Sequence, residues 1–403
     1  MTFFPNLRFP EFEEEWEERY ISEVISSKSK KYNPENSEFN YPSIELESLS
    51  QDSGELLSTF DSKNQKSIKN VFNSGDVLFG KLRPYLKKYY LADFDGVCSS
   101  EIWVLKSSIL DSNYLYAFVQ SNSFISLTEI SSGSKMPRAD WNLVSSSVIV
   151  YPSNTNERKK IGKTIQLINS RIQTQKKIIS QLKSQMSNLK DSILEQKLRL
   201  KNDNGNYFPS WKVFRLSDLG NTFNGLSGKT KEHFGSGQKY IQYKQIFDSA
   251  KINIGDCAFV DIEENENQNI VKYGDVFFTI SSETPEEIGM SSVLLEKVNN
   301  VYLNSFCFGF RGHSFDELIP QFSQFLFRSN GFRNEIVKLA QGSTRYNMSK
   351  IEFLKLKVKL PGKDEQIKIA SFLSSIQEKI ETEKQILEKL EHQKKFLLGN
   401  LFV

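Results

Sequence analysis

The chain carries one frame twice, and each copy closes in a long charged helix. The first copy opens with Phe9-Pro10-Glu11-Phe12, Trp16 and Ile21-Ser22-Glu23-Val24; the second opens with Phe208-Pro209-Ser210-Trp211 and Leu216-Ser217-Asp218-Leu219. Both contain a Gly-Asp-Val strand start, Gly75-Asp76-Val77-Leu78-Phe79 and Gly274-Asp275-Val276-Phe277-Phe278. Later landmarks also match: Ser121-Asn122-Ser123-Phe124 with Ser329-Asn330-Gly331-Phe332, and the Gly133-Ser134 turn with Gly342-Ser343. A strand, a proline (Pro152, Pro361) and a helix end each copy. The residues between the landmarks differ. A repeated frame around two different interiors suits a two-headed recognition protein better than a single active site.

The 403 residues are enough for two or three domains with their own cores. A net charge of +3 supplies no global field for nucleic acid, so such a case has to be made locally. Cys98, Cys257 and Cys307 show no ligand or pairing spacing and read as reduced core thiols. The acidic stretch Glu11–Glu18 and the lack of an apolar h-region or a run of about 18 apolar residues predict no signal peptide and no membrane span. A cytoplasmic protein is expected.

Strands are predicted at Asp76–Phe79, Glu101–Leu105 and Ser147–Tyr151, and one amphipathic helix around Asn113–Ile130. The period then changes. Ile161, Ile165, Ile168, Ile172, Ile179, Leu182, Met186, Leu189, Ile193 and Leu200 follow a heptad, with Gln175 and Gln196 as polar interruptions. Ile369, Leu373, Ile376, Ile380, Leu387, Leu390, Leu397 and Leu401 repeat it, interrupted by Glu383 and Lys394. Gln175 and Glu383 hold the same heptad place, where a polar residue costs stability but fixes register. Two matched seams predict two helices packed on each other. The order of parts makes them antiparallel, because helix two starts from the second head and must run back. The expected fold is α+β: two mixed α/β heads in a pseudo-twofold arrangement, joined by two long antiparallel coiled-coil helices. The expected divisions are 1–153 and 204–361 for the heads, 154–203 and 362–403 for the helices.

The whole chain resembles the specificity subunits of Type I restriction-modification systems. The phrases that carry the likeness are Leu7-Arg8-Phe9-Pro10 with Trp16, the run Gly75 to Lys88, Cys98-Ser99-Ser100-Glu101, Gly225 to Thr230, Lys239 to Tyr243, and Pro361 to Gln366 with Ile369-Ala370-Ser371-Phe372-Leu373. Copy one departs at Glu157-Arg158-Lys159-Lys160-Ile161-Gly162, where Glu-Gln and Ala are usual. The resemblance implies a subunit without catalysis of its own. It would read a bipartite, asymmetric target in double-stranded DNA through two target recognition domains. It would also hold two methyltransferase subunits, with restriction/translocase subunits joining that assembly. S-adenosylmethionine, ATP and Mg would then belong to the partners, with no cofactor in this chain.

Phosphates are met by cations, and base edges by planar or amide groups. Lys81, Arg83, Tyr85, Lys87 and Lys88, with Tyr89 and Tyr90, form the densest such group; a solvated basic face is the competing reading. Lys135 and Arg138 follow the first Gly-Ser turn, and Arg345 follows the second. Lys229, Lys231, Tyr243 and Lys244, with Gln242 and Gln245, are candidates in the second head. Exposed apolar positions such as Ile178, Leu198, Ile386 and Phe396 read either as docking surface for partner subunits or as ordinary single hydrophobes.

Several suggestive strings fail. Gly225-Leu226-Ser227-Gly228-Lys229-Thr230 ends like a P-loop, but Phe223 stands where the first glycine is needed. No Asn-Pro-Pro-aromatic tetrad for adenine methylation is present, and His233, His313 and His392 lack metal-ligand spacing. A self-contained DNA adenine methyltransferase with unrecognised motifs is the alternative function, and a plain coiled-coil scaffold a third.

Overall fold

The computed structural model describes residues 4–130 and 136–403, and the chain divides into two compact units, Met1–Ile178 with Glu383–Val403 and Ile179–Thr382. Lys135 and the Gly133-Ser134 turn lie outside the described residues.

In the first unit the opening strand Trp16–Tyr20 pairs antiparallel with Val148–Pro152, Trp16 opposite Pro152. Val77–Gly80 is the centre of a three-stranded antiparallel sheet, between Tyr89–Leu91 and Ile102–Leu105. All its residues are buried. A second sheet runs in the order Lys31–Tyr32, Lys69–Phe72, Gly96–Cys98, Pro42–Ile44, Phe60–Asp61. The second unit repeats the frame. Lys212–Arg215 pairs with Lys357–Leu360, and Val276–Thr279 lies between Ser291–Val293 and Cys307–Gly312, to which Gly220–Asn224 is added. Its second sheet has only three strands, around Phe234–Ile241. The frame is common to both units, and the second sheet is where they diverge.

The repeated phrases now have physical reasons. Gly75 and Gly274 sit at φ +91° and +90°, a region that costs glycine little. The carboxylates of Asp76 and Asp275 each accept the backbone N–H three residues earlier, Asn73 and Lys272, at 2.7 Å. Each aspartate also faces a cation from the neighbouring strand region, Lys106 at 2.9 Å and Arg311 at 2.6 Å. Ser121 and Ser329 are N-caps: each hydroxyl accepts from the N–H of Phe124 or Phe332 at 3.3 Å.

That cap corrects one expectation. The single helix around Asn113–Ile130 is two, Ser112–Phe118 and Asn122–Glu129, because Ser121 satisfies the N-terminal donors of a new helix. The strands near 76–79, 101–105 and 147–151 are present as Val77–Gly80, Ile102–Leu105 and Val148–Pro152.

Long helix one covers Thr155–Leu194 and long helix two Lys363–Asn400. Helix one therefore stops short of residue 203, and Gln196 and Leu200 are not seam positions. Gln196 takes the left-handed conformation at φ +59°, and Leu198 N–H bonds back to Ser192 O at 2.9 Å, closing the last turn. Within the helices, Ile161, Ile165, Ile168, Ile172, Ile179, Ile193, Ile369, Leu373 and Ile380 are buried; Leu182, Leu189, Ile376, Leu387, Leu390 and Leu397 are half-buried. In the first unit Ile161 and Ile165 pack with Leu398, Leu401 and Phe402, whereas Gln175 reaches Glu383. Partner numbers fall as helix one advances, so the pairing there is antiparallel. Gln175 Nε2 donates to the Glu383 carbonyl at 3.0 Å and to its carboxylate, so the two polar interruptions meet each other.

Candidate nucleic-acid interface

The strand Val77–Gly80 runs out of the core into Lys81, and the loop beyond it is held open by backbone bonds. Lys81 N–H donates to Glu101 O at 2.9 Å; Ala139 N–H donates to Lys81 O and Arg83 N–H to Pro137 O, both at 2.8 Å. Leu82 thereby bridges Arg138. The loop after the strand and the segment after the first Gly-Ser turn are side by side, which brings Lys81, Arg83 and Arg138 into one neighbourhood. The second unit builds the same junction: Met348 N–H donates to Ile280 O at 3.0 Å, and Ser281-Ser282 pairs with Asn347-Tyr346. By this register Arg138 corresponds to Asn347. Arg345 lies two residues earlier, the spacing that returns a side chain to the same side of an extended segment.

Arg83 and Lys87 both have positive φ, +52° and +48°, and bracket the short turn Pro84–Leu86. Two non-glycine residues in the left-handed region flag a loop whose shape is imposed by its surroundings. Arg83 and Tyr85 are exposed, Tyr85 by 52%; Lys81 and Lys87 are half-buried. Arg138 forks Glu101 at 3.0 and 3.4 Å, a surface pair that a phosphate could replace at little cost.

Three residues of this group face elsewhere. Lys88 Nζ donates to Leu46 O at 2.5 Å, and burial lowers its pKa, so its charge serves the fold. Tyr89 and Tyr90 are strand residues buried in the core, their hydroxyls donated to Asp52 and Asp93. In the second unit Lys229 is also withdrawn. Its side chain is 4% exposed and paired with Glu266, whose pKa falls to about 2 through that bond and one from Gln268. This pairing, across 37 residues of sequence, takes the Lys229 charge away from solvent. Lys231 is exposed on a single turn. Gln245 is occupied with Asn253 O at 2.6 Å, and Gln242 is exposed.

Tyr243, Lys244 and Arg345 do converge. They line a cleft of about 400 Å³ together with Phe247, Ser281, Ser282 and Phe306. Tyr243 donates its hydroxyl to Ser281 O at 2.7 Å and stacks on Phe247, with ring centroids 6.2 Å apart. Phe306 is 59% exposed at the rim, and Lys244 is tied to Asp248. Sequence reasoning missed Phe247 and Phe306. A phenyl set in the polar run Leu303-Asn304-Ser305-Phe306 was the available signal.

All three cysteines are buried, with burial pushing each thiol pKa up, to about 11 for Cys257. Among the described residues no group of three or more His, Cys, Asp or Glu is placed to hold a metal, and no helix is long and apolar enough to cross a membrane.

A duplicated α+β fold on long heptad helices, with a cationic junction at the same place in each copy, defines a two-headed recognition protein. The Type I restriction modification DNA specificity domain matches residues 13–184 and again 209–392, so the chain belongs to that family, the DNA-recognition and non-catalytic component of its systems. It is 27% identical over 134 residues to the Type I restriction enzyme EcoDI specificity subunit of Escherichia coli, covering 33% of this chain and 30% of that protein. It is 24% identical over 348 residues to the Type I restriction enzyme MjaVIII specificity subunit of Methanocaldococcus jannaschii, covering 82% of this chain and 76% of that one. Its fold resembles the Type I restriction-modification S subunit of M. genitalium, at a TM-score of 0.59, 16% identity and coverage of 100% and 99% of the two chains. A chain from a study of complex assembly and conformational transition of the type I system gives a TM-score of 0.60 at 19% identity, covering 95% and 96%. The two curated relatives and the M. genitalium chain are specificity subunits, which disfavours the methyltransferase alternative.

Proposed function

We propose that the protein reads a bipartite, asymmetric sequence in double-stranded DNA, one half-site per recognition fold, as the specificity subunit of a cytoplasmic Type I restriction-modification complex. Two methyltransferase subunits and the restriction/translocase subunits are its protein partners. S-adenosylmethionine, ATP and Mg belong to those partners. The observation that carries this reading is the repeated junction. In each unit the segment leaving the central strand is bridged to the segment after the Gly-Ser turn, and exposed or half-buried cations stand beside the bridge. Around that shared junction the side chains differ, Lys81, Arg83 and Arg138 in one unit and Tyr243, Phe306 and Arg345 in the other, as two different half-sites require.

In the first head Lys81, Arg83, Lys87 and Arg138 meet phosphates, with Tyr85 as a planar contact. In the second, Lys231, Lys244 and Arg345 supply charge, and Tyr243 with Phe306 supplies apolar surface. The heads comprise about 1–153 and 204–361. The test is coexpression with a Type I methyltransferase partner in a host lacking such systems, followed by methylome sequencing. A new bipartite methylated motif that disappears when this chain is omitted is the expected result. Methylation without this chain, or none with it, overturns the reading.

A further inference from the structure

In the first unit a second cavity, of about 490 Å³, opens between the head and the helix pair. Four lysines line it, Lys87 from the loop and Lys176, Lys394 and Lys395 from the helices, against two carboxylates, Asp52 and Glu391. Lys176 is already paired with Glu391 at 3.1 Å. Lys394 is different. It occupies a polar heptad position, yet its Nζ has Tyr89 Oη as its bonding partner, at 3.3 Å, and stands 5.6 Å from the centre of that ring. Among the described residues no carboxylate oxygen lies within ion-pair distance of it. Tyr89 in turn gives its proton to Asp52 Oδ1 at 3.0 Å, so its oxygen is free to accept from Lys394. The rest of the wall mixes amides with Ser53, Ile172, His392 and Leu398, and Asn169 donates to Gln120 at 3.4 Å.

A desolvated ammonium on a polar cavity, with the half-buried Lys87 and the exposed Lys395 also lining it, is built to receive an anion. We propose that this cavity binds a phosphate group, held by Lys394 and Lys87 with the exposed Lys395 adding charge. Phosphate fits better than carboxylate because it offers several acceptor oxygens to ammonium groups that arrive from different elements. Burial, with Lys176 and Lys87 nearby, outweighs Asp52 and Glu391 and brings the Lys394 pKa down to about 8. An incoming dianion reverses that balance, so at pH 8 binding draws a proton onto Lys394. The other titratable groups on the cavity are Asp52, Lys87, Tyr89, Lys176, Glu391, His392 and Lys395. The phosphate has two sources, the DNA backbone beside the loop that carries Lys87, or a free phosphate.

The experiment is calorimetric titration of the full chain with inorganic phosphate at pH 8, in two buffers of different ionisation enthalpy. The expected result is a binding isotherm whose heat depends on the buffer, weakened at least tenfold in both Lys394→Met and Lys87→Gln. Lys87 lies on a loop, so its variant reports even if Lys394→Met disturbs the core. No isotherm, or one unchanged in both variants, overturns the proposal. A saturating non-cognate duplex then separates the sources. Loss of phosphate binding, with a shallower salt dependence of duplex affinity in Lys394→Met, assigns the site to the backbone; phosphate binding alongside duplex assigns it to a free ligand. The proposal does not rest on the DNA reading: phosphate bound by a chain that ignores duplex leaves the site standing, and duplex bound without a phosphate isotherm removes the site alone.

Discussion

Trp16 donates its indole N–H to Glu157 at 3.4 Å, joining the opening strand to the first turn of long helix one; Trp211 does the same to Glu365 at 3.1 Å, at the start of long helix two. The repeated aromatic–proline–tryptophan phrase is therefore a latch between head and helix in each copy. The latches are not equally supported. Arg8 forks Glu157 with two bonds of 2.8 Å, whereas among the described residues Trp211 is the one side-chain donor to Glu365. Trp211→Phe should thus cost more than Trp16→Phe, about 1–3 kcal/mol for a hydrogen bond to a buried charge. Hydrogen exchange in the first turns of the two helices checks this; equal protection loss in the two variants would refute it.

Glu365 also sets a pH dependence. Burial raises its pKa above 4.5, against the lowering effects of Trp211 and Arg199. The folded chain then holds this proton more tightly than the unfolded chain. Its contribution is fully present below 4.5 and is lost as pH rises through the raised value. Glu365→Gln keeps an oxygen for Trp211 and removes the titration. The melting temperature of the variant should gain on the natural chain as pH rises from below 4.5, and parallel curves would count against the assignment.

The seam pair gives a double-mutant test. Gln175→Leu takes away an amide bonded to the Glu383 carboxylate and main chain, and should destabilise the chain by a few kcal/mol, on the order found for breaking buried polar pairs. Gln175→Leu with Glu383→Leu should lose less than the two single variants added together, since the bond they share is removed once and an apolar seam packs well. Thermal melts of the four combinations supply the cycle, and additive losses would show that the pair does not interact.

Salt dependence separates the cations that sequence alone could not. Arg83→Gln and Lys81→Gln should each lower the slope of log affinity against log salt by about 0.9, and do so equally for all duplex sequences. Lys88→Gln should leave the slope alone and lower stability instead, because Lys88 holds the Leu46 carbonyl. A changed slope for Lys88→Gln would reverse that division.

What was legible in the sequence is what local chemistry decides. The Gly-Asp-Val strand starts, the heptads and the shared heptad place of Gln175 and Glu383 all follow from spacing. The fates of Lys88, Lys229, Tyr89 and Tyr90 do not. Whether a lysine beside a strand reaches solvent or a carbonyl depends on what the chain brings over it, and the partners here are Leu46 and Glu266, 42 and 37 residues away. The break at Ser121 was visible as a capping residue, yet the apolar period on both sides concealed it.

The aromatic cleft of the second unit yields the last test. Phe306, in the turn before the strand Cys307–Gly312, and Arg345, just before the pair Tyr346–Asn347, line it and stand clear of the main core, so replacing them should leave folding intact. If this cleft meets one half-site, Phe306→Ala and Arg345→Ala should relax or weaken methylation through that half only, since contacts to base edges carry sequence and phosphate contacts do not. A lost bidentate base contact is worth about 1–3 kcal/mol, roughly ten- to a hundredfold in discrimination at the position read. Lys231→Gln, on its exposed turn, should weaken all sites alike. Methylome sequencing of cells carrying each variant with the methyltransferase partner gives the readout. A change in both half-sites, or in neither while activity persists, would show that the cleft does not read DNA.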